Sequence, residues 1–278
     1  MAILDLRNAG GYLHFDGDQC AAEGEKRATQ YQSAQPFPHI VMEDFLDVDV
    51  LRRVVQEYPS REGRHYFDRP QERFKYQFNP HTVESGIVRN LLAELNGEPF
   101  LKFLSAMTGI DGLISDPYYA GGGLHETLSG GHLSVHADFN VHGDMQLERR
   151  LNLLVYLNED WDEGFGGNLE LWDKKMRKAA VEVAPVMARA VVFNTSLDSY
   201  HGQPNPLTCP SDRSRRSIAT YYYTALPIET NLPQRTTTFQ TRPNTGDKTD
   251  VVVKYHHFVD DWVPKKLHGI ARKLGPKP

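Results

Sequence analysis

The segment Gly131 to Asp138 reads GHLSVHAD. Along a β-strand, successive side chains point to opposite faces. Leu133, Val135 and Ala137 then share one face, and His132, Ser134, His136 and Asp138 share the other. An imidazole and a carboxylate two residues apart on one face can reach a common ion. Two histidines and one carboxylate form a donor set suited to iron(II), with positions left open for a co-substrate and oxygen. His201 is the candidate third ligand. It follows the apolar run RAVVFNT and lies in SYHGQPNP, where Gly202 and Pro204 imply a tight turn. On spacing alone, an HxD tripeptide is common by chance, and a strand histidine is more often a hydrogen-bonded polar residue than a ligand. His125, His132 and His142 lie nearby, so a three-histidine cluster with His136 is an alternative. His142 sits among Asn, Gly and Asp and reads as a solvated loop residue.

Downstream, SDRSRRSIATYYYT reads as a strand. Alternation puts Arg215, Ser217, Ala219 and Tyr221 on one face, and Arg216, Ile218, Thr220 and Tyr222 on the other. A guanidinium followed by small residues on its own face has room to grip a carboxylate bidentately. The same residues also fit a basic turn entering an edge strand, and Arg216 is the one-residue alternative in register.

These residues need elements to hold them. PFPHIVMEDFL (Pro36 to Leu46) reads as a strand entering a turn. Asp47 can cap a helix through Tyr58 that is ended by Pro59, with Val50, Leu51, Val54 and Val55 on one stripe. Further helices are expected from about Val83 to Leu95 and from Pro99 to Met107, with Gly109 closing the latter. From Leu113 the texture changes to short strand-like runs between Gly-, Asp- and Pro-rich turns: HLSVHAD, RLNLLVYLN, GGNLELW, AAVEVAP, RAVVFNT and RRSIATYYYT. Such spacing indicates an antiparallel sandwich or barrel. Residues 1–35 read as a peripheral strand or loose arm. Beyond Pro227 the chain turns polar and loop-like. Strand-like alternation returns at Asp250 to Tyr255, and a short basic helix is expected from Pro264.

The 278 residues are 40% hydrophobic, enough for a real core, and the net charge of −5 argues against a general nucleic-acid binder. Cys20 and Cys209 stand far apart with no CxxC, which excludes a disulfide scaffold and a cysteine zinc site. The N-terminal residues show no basic region followed by an apolar run, and no stretch nears roughly 18 uninterrupted apolar residues. A cytoplasmic protein without membrane contact is expected. One domain over 1–278 accounts for the length: helical support at about 36–110, a β-core at about 113–226 and an extension at 227–278. The sequence leaves the oligomeric state open.

The order of HxD, a distant histidine and an Arg-led strand resembles the iron(II)/2-oxoglutarate-dependent oxygenases, most closely their prolyl 4-hydroxylase-like branch. The resemblance is clearest from His132 to Thr224 and extends to PFPHIVMEDFL. His136 and Asp138 match the HxD ligands, and His201, followed by Gly202, matches the distal histidine. LLVYLNEDWDEGFGGNLELW (Leu153 to Trp172) is similar to the family's YLN-x-x-W stretch and the GG-x-L-x-L strand after it. Arg215, in an R-x-S arrangement with Ser217, matches the residue that pairs with the far carboxylate of 2-oxoglutarate. Tyr156 matches a tyrosine that hydrogen-bonds the same carboxylate; from its spacing alone it would read as a core tyrosine. The turn PNPLTCPSD is longer than the family's usual one.

The resemblance implies a mainly β protein with supporting helices, built on a double-stranded β-helix (a cupin-like jelly roll). It implies iron(II) on His136, Asp138 and His201, and 2-oxoglutarate as co-substrate beside Arg215, Tyr156 and Ser217. Oxygen would be the oxidant, and hydroxylation of a C–H bond would release succinate and carbon dioxide. Asp138 argues against the halogenating relatives, which carry Gly or Ala there. The substrate stays open among a small molecule, an amino acid and a prolyl residue. Arg61 to Pro80 mixes basic and aromatic residues and reads either as a lid or as a loop packed on the barrel. Gly121 to Gly130 reads as a mobile loop beside the metal strand. The alternatives are a cupin-like metal enzyme without 2-oxoglutarate, which needs a further His or Glu ligand, and a non-catalytic jelly-roll binding module.

Overall fold

The computed structural model describes residues 2–62, 64–226 and 234–247, with isolated positions between 251 and 275. A hairpin of β1 (Leu6–Ala9) and β2 (Tyr12–Phe15) leads into α1 (Gly17–Ser33), then β3 (His39–Met42) and α2 (Val48–Gln56). A second hairpin, β4 (His65–Arg69) and β5 (Glu72–Phe78), precedes α3 (Gly86–Leu95) and α4 (Glu98–Thr108). The β-rich part follows: β6 (Ile114–Ser115), β7 (Gly123–Ala137), β8 (Leu147–Tyr156), β9 (Leu169–Trp172), β10 (Ala179–Val183), β11 (Ala190–Asn194), β12 (His201–Gln203), β13 (Ser214–Ala225) and β14 (Thr238–Phe239).

The three expected helices form, each with a physical start or stop. Asp47 accepts hydrogen bonds from the N–H groups of Asp49 and Val50 at the start of α2, and Ser85 does the same for Val88 in α3. Gly109 closes α4 in the left-handed conformation, φ 71°. Residues 17–33 differ from the arm expected of them. They form α1, capped by Asp16, which accepts from Gln19 N. Only Cys20, Gly24 and Tyr31 of this helix are buried, a stripe too sparse and small to show as periodic hydrophobicity. It lies so close to α4 that a Cβ on Gly24 would stand 2.4 Å from the Phe103 carbonyl oxygen.

The main sheet is antiparallel and nearly closes into a barrel, in the order β10-β9-β12-β7-β13-β8-β11-β3; β5 and β14 also pair with β7, β4 with β5, and β6 with β13. This is the expected mainly β architecture with helices against one face. Leu153, Val155, Ile218 and Tyr222 on the outer face of β8 and β13 share one core with Phe100, Phe103 and Leu104 of α4. The opposite face looks into the barrel. Because strand side chains alternate, anchoring the outer face on the helices fixes which residues point inward.

Strand β7 carries the architecture. Its first half pairs with β13 (Arg215↔Thr127, Ser217↔His125), and its second half pairs with β12 (His201↔His136). Between them it bends at Gly130, φ 79°, and at Gly131, where a Cβ would stand 2.7 Å from the Arg73 carbonyl oxygen. Gly121 to Gly130 is therefore mostly strand, where a mobile loop was expected, and Arg61 to Pro80 is largely a β-hairpin paired onto β7. Both cysteines are buried and free. No described helix is long and apolar enough to cross a membrane. The expected strand at Asp250 to Tyr255 and the basic helix after Pro264 fall outside the described residues, apart from isolated positions.

Candidate active site

His136 near the end of β7, Asp138 just past it and His201 at the start of β12 converge. Their ligand atoms lie within 4.8 Å of one another. His136 Nε2 is 3.6 Å from Asp138 Oδ1, and His201 Nε2 is 3.5 Å from Asp138 Oδ2. Each imidazole donates from Nδ1 to a backbone carbonyl, His136 to Ser134 O at 2.8 Å and His201 to Ser199 O at 3.0 Å. Both Nε2 lone pairs are thereby aimed at the common centre. Burial, then the neighbouring His136, pushes His201 down to about 4, so it is a neutral donor at ordinary pH. Burial alone would raise the Asp138 carboxyl; Arg149, then His201 and His136, outweigh it and hold Asp138 well below the usual carboxylate range. Two imidazoles and an ionised carboxylate fit iron(II). Among the described residues no further His or Glu joins the group, as the cupin-like alternative would need.

Sequence reasoning missed the support behind Asp138. Asn152 Nδ2 donates to Asp138 Oδ2 at 2.8 Å, and Arg149 Nη2 reaches the same oxygen at 3.2 Å. Arg149 also donates to Asn152 Oδ1 through Nε and Nη2, at 3.0 and 2.7 Å, and its guanidinium lies 3.6 Å from the Tyr221 ring centroid. Plain alternation from Tyr156 through Asn152 points to Arg150. The β8–β13 register shifts between Tyr222↔Leu151 and Tyr223↔Arg149, so Arg150 is the extra residue and Arg149 takes the inward place. A similar irregularity lies between Leu133 and His136 on β7. Leu133 consequently lines the cavity, while His132 sits outside it, Nε2 toward Pro70 O at 3.1 Å. The expectation that His132 shares the His136 face is corrected by this bulge.

The cavity in front of the triad has a volume of about 260 Å³. Arg215 and Ser217 lie along its wall, as the alternating reading of β13 requires, and Arg216 points away to Glu126, with Nε 3.0 Å from Oε1. Arg215 is buried. Its Nε donates to Gly167 O at 2.8 Å and its Nη2 to Tyr156 Oη at 3.4 Å. No carboxylate of the described residues reaches it, and burial lowers its pKa. A buried guanidinium without an anion is costly unless a ligand provides one, and the far carboxylate of 2-oxoglutarate fits that need. Tyr156 is fully buried against this guanidinium, whose carbon is 5.0 Å from its ring centroid. His125 also lines the cavity, and burial, then Lys75, keeps it well below its ordinary value and so neutral.

His142 departs from the solvated loop residue expected of it. It is 1% exposed, accepts at Nδ1 from the N–H groups of Asp144 and Met145, and faces Asp116 Oδ1 from Nε2 at 3.5 Å. It fastens the turn between β7 and β8. The three-histidine cluster does not form.

Residues 122–223 match the family model described as the 2OG-Fe(II) oxygenase superfamily. No curated protein matches the chain. Among solved structures it is similar to a prolyl-4-hydroxylase from Pseudomonas putida, with TM-score 0.51 and 18% identity over 73% of this chain and 99% of that one. A prolyl hydroxylase from Trichoplax adhaerens, solved with a hypoxia inducible factor peptide fragment, matches with TM-score 0.55 and 16% identity over 74% and 91%. HygX from Streptomyces hygroscopicus, solved with nickel and 2-oxoglutarate, matches with TM-score 0.50 and 12% identity over 72% and 86%. These likenesses are of fold, a jelly roll; the family match falls on β7, β8, β12 and β13, the strands that bear the triad, Tyr156 and the buried arginine. Over residues 122–223 the chain is accordingly similar to the 2OG-Fe(II) oxygenase superfamily, and its His136–Asp138–His201 group and buried Arg215 fit the iron(II) and 2-oxoglutarate that such enzymes use.

Proposed function

We propose that the chain is an iron(II)- and 2-oxoglutarate-dependent dioxygenase that hydroxylates an unactivated C–H bond of a small molecule, amino acid or prolyl residue, with release of succinate and carbon dioxide. One observation carries the reading: a single cavity joins the His136–Asp138–His201 group to the anion-free guanidinium of Arg215. Bound iron(II) and 2-oxoglutarate supply the oxidising chemistry, with oxygen as the oxidant. The chain's own residues do the positioning. His136, Asp138 and His201 hold the metal on one side and leave its other side to ligands. Arg215 and Tyr156 meet the far carboxylate of 2-oxoglutarate, and Ser217, on the same face of β13, offers a hydroxyl beside it. Asn152 and Arg149 fix the Asp138 carboxylate. Phe193, its ring centroid 4.6 Å from that of His201, and Phe239, 5.5 Å from that of His136, keep water from the ligands.

The described elements fit one oxygenase domain, with helical support at about 36–110, the β-core at about 113–226 and the extension at 227–278 laying β14 along β7. The test is anaerobic addition of iron(II) and 2-oxoglutarate. A visible charge-transfer band, followed by succinate formation once air is admitted, is expected. Absence of both would leave a metal-free binding module as the better reading.

A further inference from the structure

The cavity is lined by four cationic side chains, Arg69, Lys75, Arg149 and Arg215, and by two carboxylates, Glu72 and Asp138. Its ionised lining therefore carries a net charge of +2 inside a chain whose net charge is −5. Iron(II) and doubly ionised 2-oxoglutarate cancel each other, so loading the site leaves this excess in place. A low-dielectric cavity holding uncompensated positive charge favours an anionic occupant.

The excess has a definite location. Lys75 on β5 and Arg215 on β13 are both register partners of Thr127 on β7. The two cations thus face the cavity at one level, a strand to either side of β7, roughly 10 Å apart by strand spacing. Arg215 lies toward Tyr156 and serves the co-substrate; Lys75 lies on the hairpin side. Its side chain is 12% exposed, and of its three donors one goes to Glu72 Oε1 at 2.9 Å. No other hydrogen bond is made by this ammonium among the described residues. Glu72 is shared with Arg69, whose Nη2 is 2.7 Å from Oε2, so Lys75 and Arg69 together bring two positive charges to one carboxylate and one charge is left over. The rings of Phe67 of the hairpin and Phe239 of β14 both face Arg69, with centroids 5.6 and 5.9 Å from its guanidinium carbon, and the Phe67 ring also faces Lys75 Nζ at 5.5 Å. They narrow the mouth of a cavity of about 260 Å³.

Resting on the function proposed above, we propose that the substrate is a small organic acid and that Lys75 receives its carboxylate. The small, narrowed cavity favours a free acid over a chain segment. The charge accounting favours a carboxylate over a neutral or cationic group.

The experiment pairs small amino and hydroxy acids with their neutral primary amides. Binding to zinc-substituted, 2-oxoglutarate-saturated protein is read by calorimetry, and substrate-stimulated succinate formation by the iron enzyme is read alongside. At least one acid is expected to bind and stimulate, with its amide weaker by about 10- to 100-fold, the loss of one charge-assisted hydrogen bond. Lys75→Met should abolish the difference between acid and amide while the affinity for 2-oxoglutarate stays within about threefold, and Lys75→Arg should restore part of it. Preserved melting temperature and charge-transfer band in Lys75→Met would show that the site is intact. Acids and amides binding equally, capped peptides as the sole substrates, or no acid binding at all would overturn the proposal while leaving the oxygenase reading in place. Failure of the wild-type protein to bind 2-oxoglutarate would overturn both.

Discussion

Arg215→Met separates what a residue does for folding from what it does for the co-substrate, because the two effects carry opposite signs. Without 2-oxoglutarate the Arg215 guanidinium is 8% exposed and lacks a carboxylate partner. Replacing such a charge with an apolar side chain of similar length is neutral to stabilising by about 1–4 kcal/mol. Losing the 2.8 Å bond to Gly167 O gives back about 1 kcal/mol. The variant should therefore be more stable by about 1–2 kcal/mol, which raises Tm by roughly 2–6 °C for a chain of this size. With 2-oxoglutarate the sign reverses. Two charge-assisted hydrogen bonds to the far carboxylate are lost, so the Kd should rise by about 100-fold or more. At a concentration 100 times the wild-type Kd, the co-substrate stabilises the wild type by about 2.7 kcal/mol and the variant by only about 0.4 kcal/mol. Thermal melts of metal-loaded protein, with and without 2-oxoglutarate and in the absence of oxygen, read both quantities. Arg216→Met is the companion variant. It breaks the contact with Glu126, so it should lower Tm and leave the 2-oxoglutarate shift unchanged. An Arg215→Met protein that melts below the wild type and keeps the full 2-oxoglutarate shift would refute the assignment.

Other perturbations give equally direct outcomes. Asp138→Ala should remove the charge-transfer band, and Asn152→Ala should weaken iron(II) binding by about 10- to 100-fold through the freed carboxylate; an unaltered metal titration for both would rule out the triad. Glu126 should mark the acid limb of stability: burial acts to raise its pKa, but Arg61, Ser214 and Arg216 bring it from 4.5 to about 2. Its contribution of about 1–3 kcal/mol, discounted for the half-exposed Arg61, is complete above pH 4.5 and lost as pH falls through 2. Glu126→Gln should hence be destabilised at neutral pH and converge with the wild type near the acid end; a constant gap across urea melts at each pH would contradict this. Gly24→Ala should lower stability by about 1–3 kcal/mol, since the Cβ collides with Phe103 O and outweighs the gain in helix propensity; a higher Tm would mean that α1 and α4 can separate at little cost.

The chemistry was legible because strand alternation is a strong rule where strands are regular. It put Arg215 and Ser217 on the face that structure shows lining the cavity, and it paired His136 with Asp138. It failed where one extra residue resets the parity, at Arg150 and between Leu133 and His136, because a bulge leaves no mark in composition. Arg149 and the true direction of His132 were lost for that reason. The short strand β12 reads as a turn in the sequence because Gly202 and the prolines after it mask a pairing that is set by β7 and β9. α1 was hidden because its close contact with α4 relies on glycine and cysteine instead of large apolar residues. The glycines of 121–131 suggested mobility; in the barrel they permit close backbone approach and a bend. His142 looked solvated because its neighbours are polar, yet those same neighbours satisfy it in a buried turn.

The bent strand β7 also has a kinetic consequence. Its hydrogen-bonding partners come from β5, β12, β13 and β14, elements spread between residues 72 and 239. Few of its contacts are local, so the loop-closure entropy of most of the chain must be met before this strand is fully paired. The barrel should refold slowly for its size, and the ligand-bearing end of β7 should gain amide-exchange protection only in the final step, together with global stability. No partly folded form that lacks β12 can offer the complete His136–Asp138–His201 group, so tight iron binding should be confined to molecules in which β7 and β12 have paired.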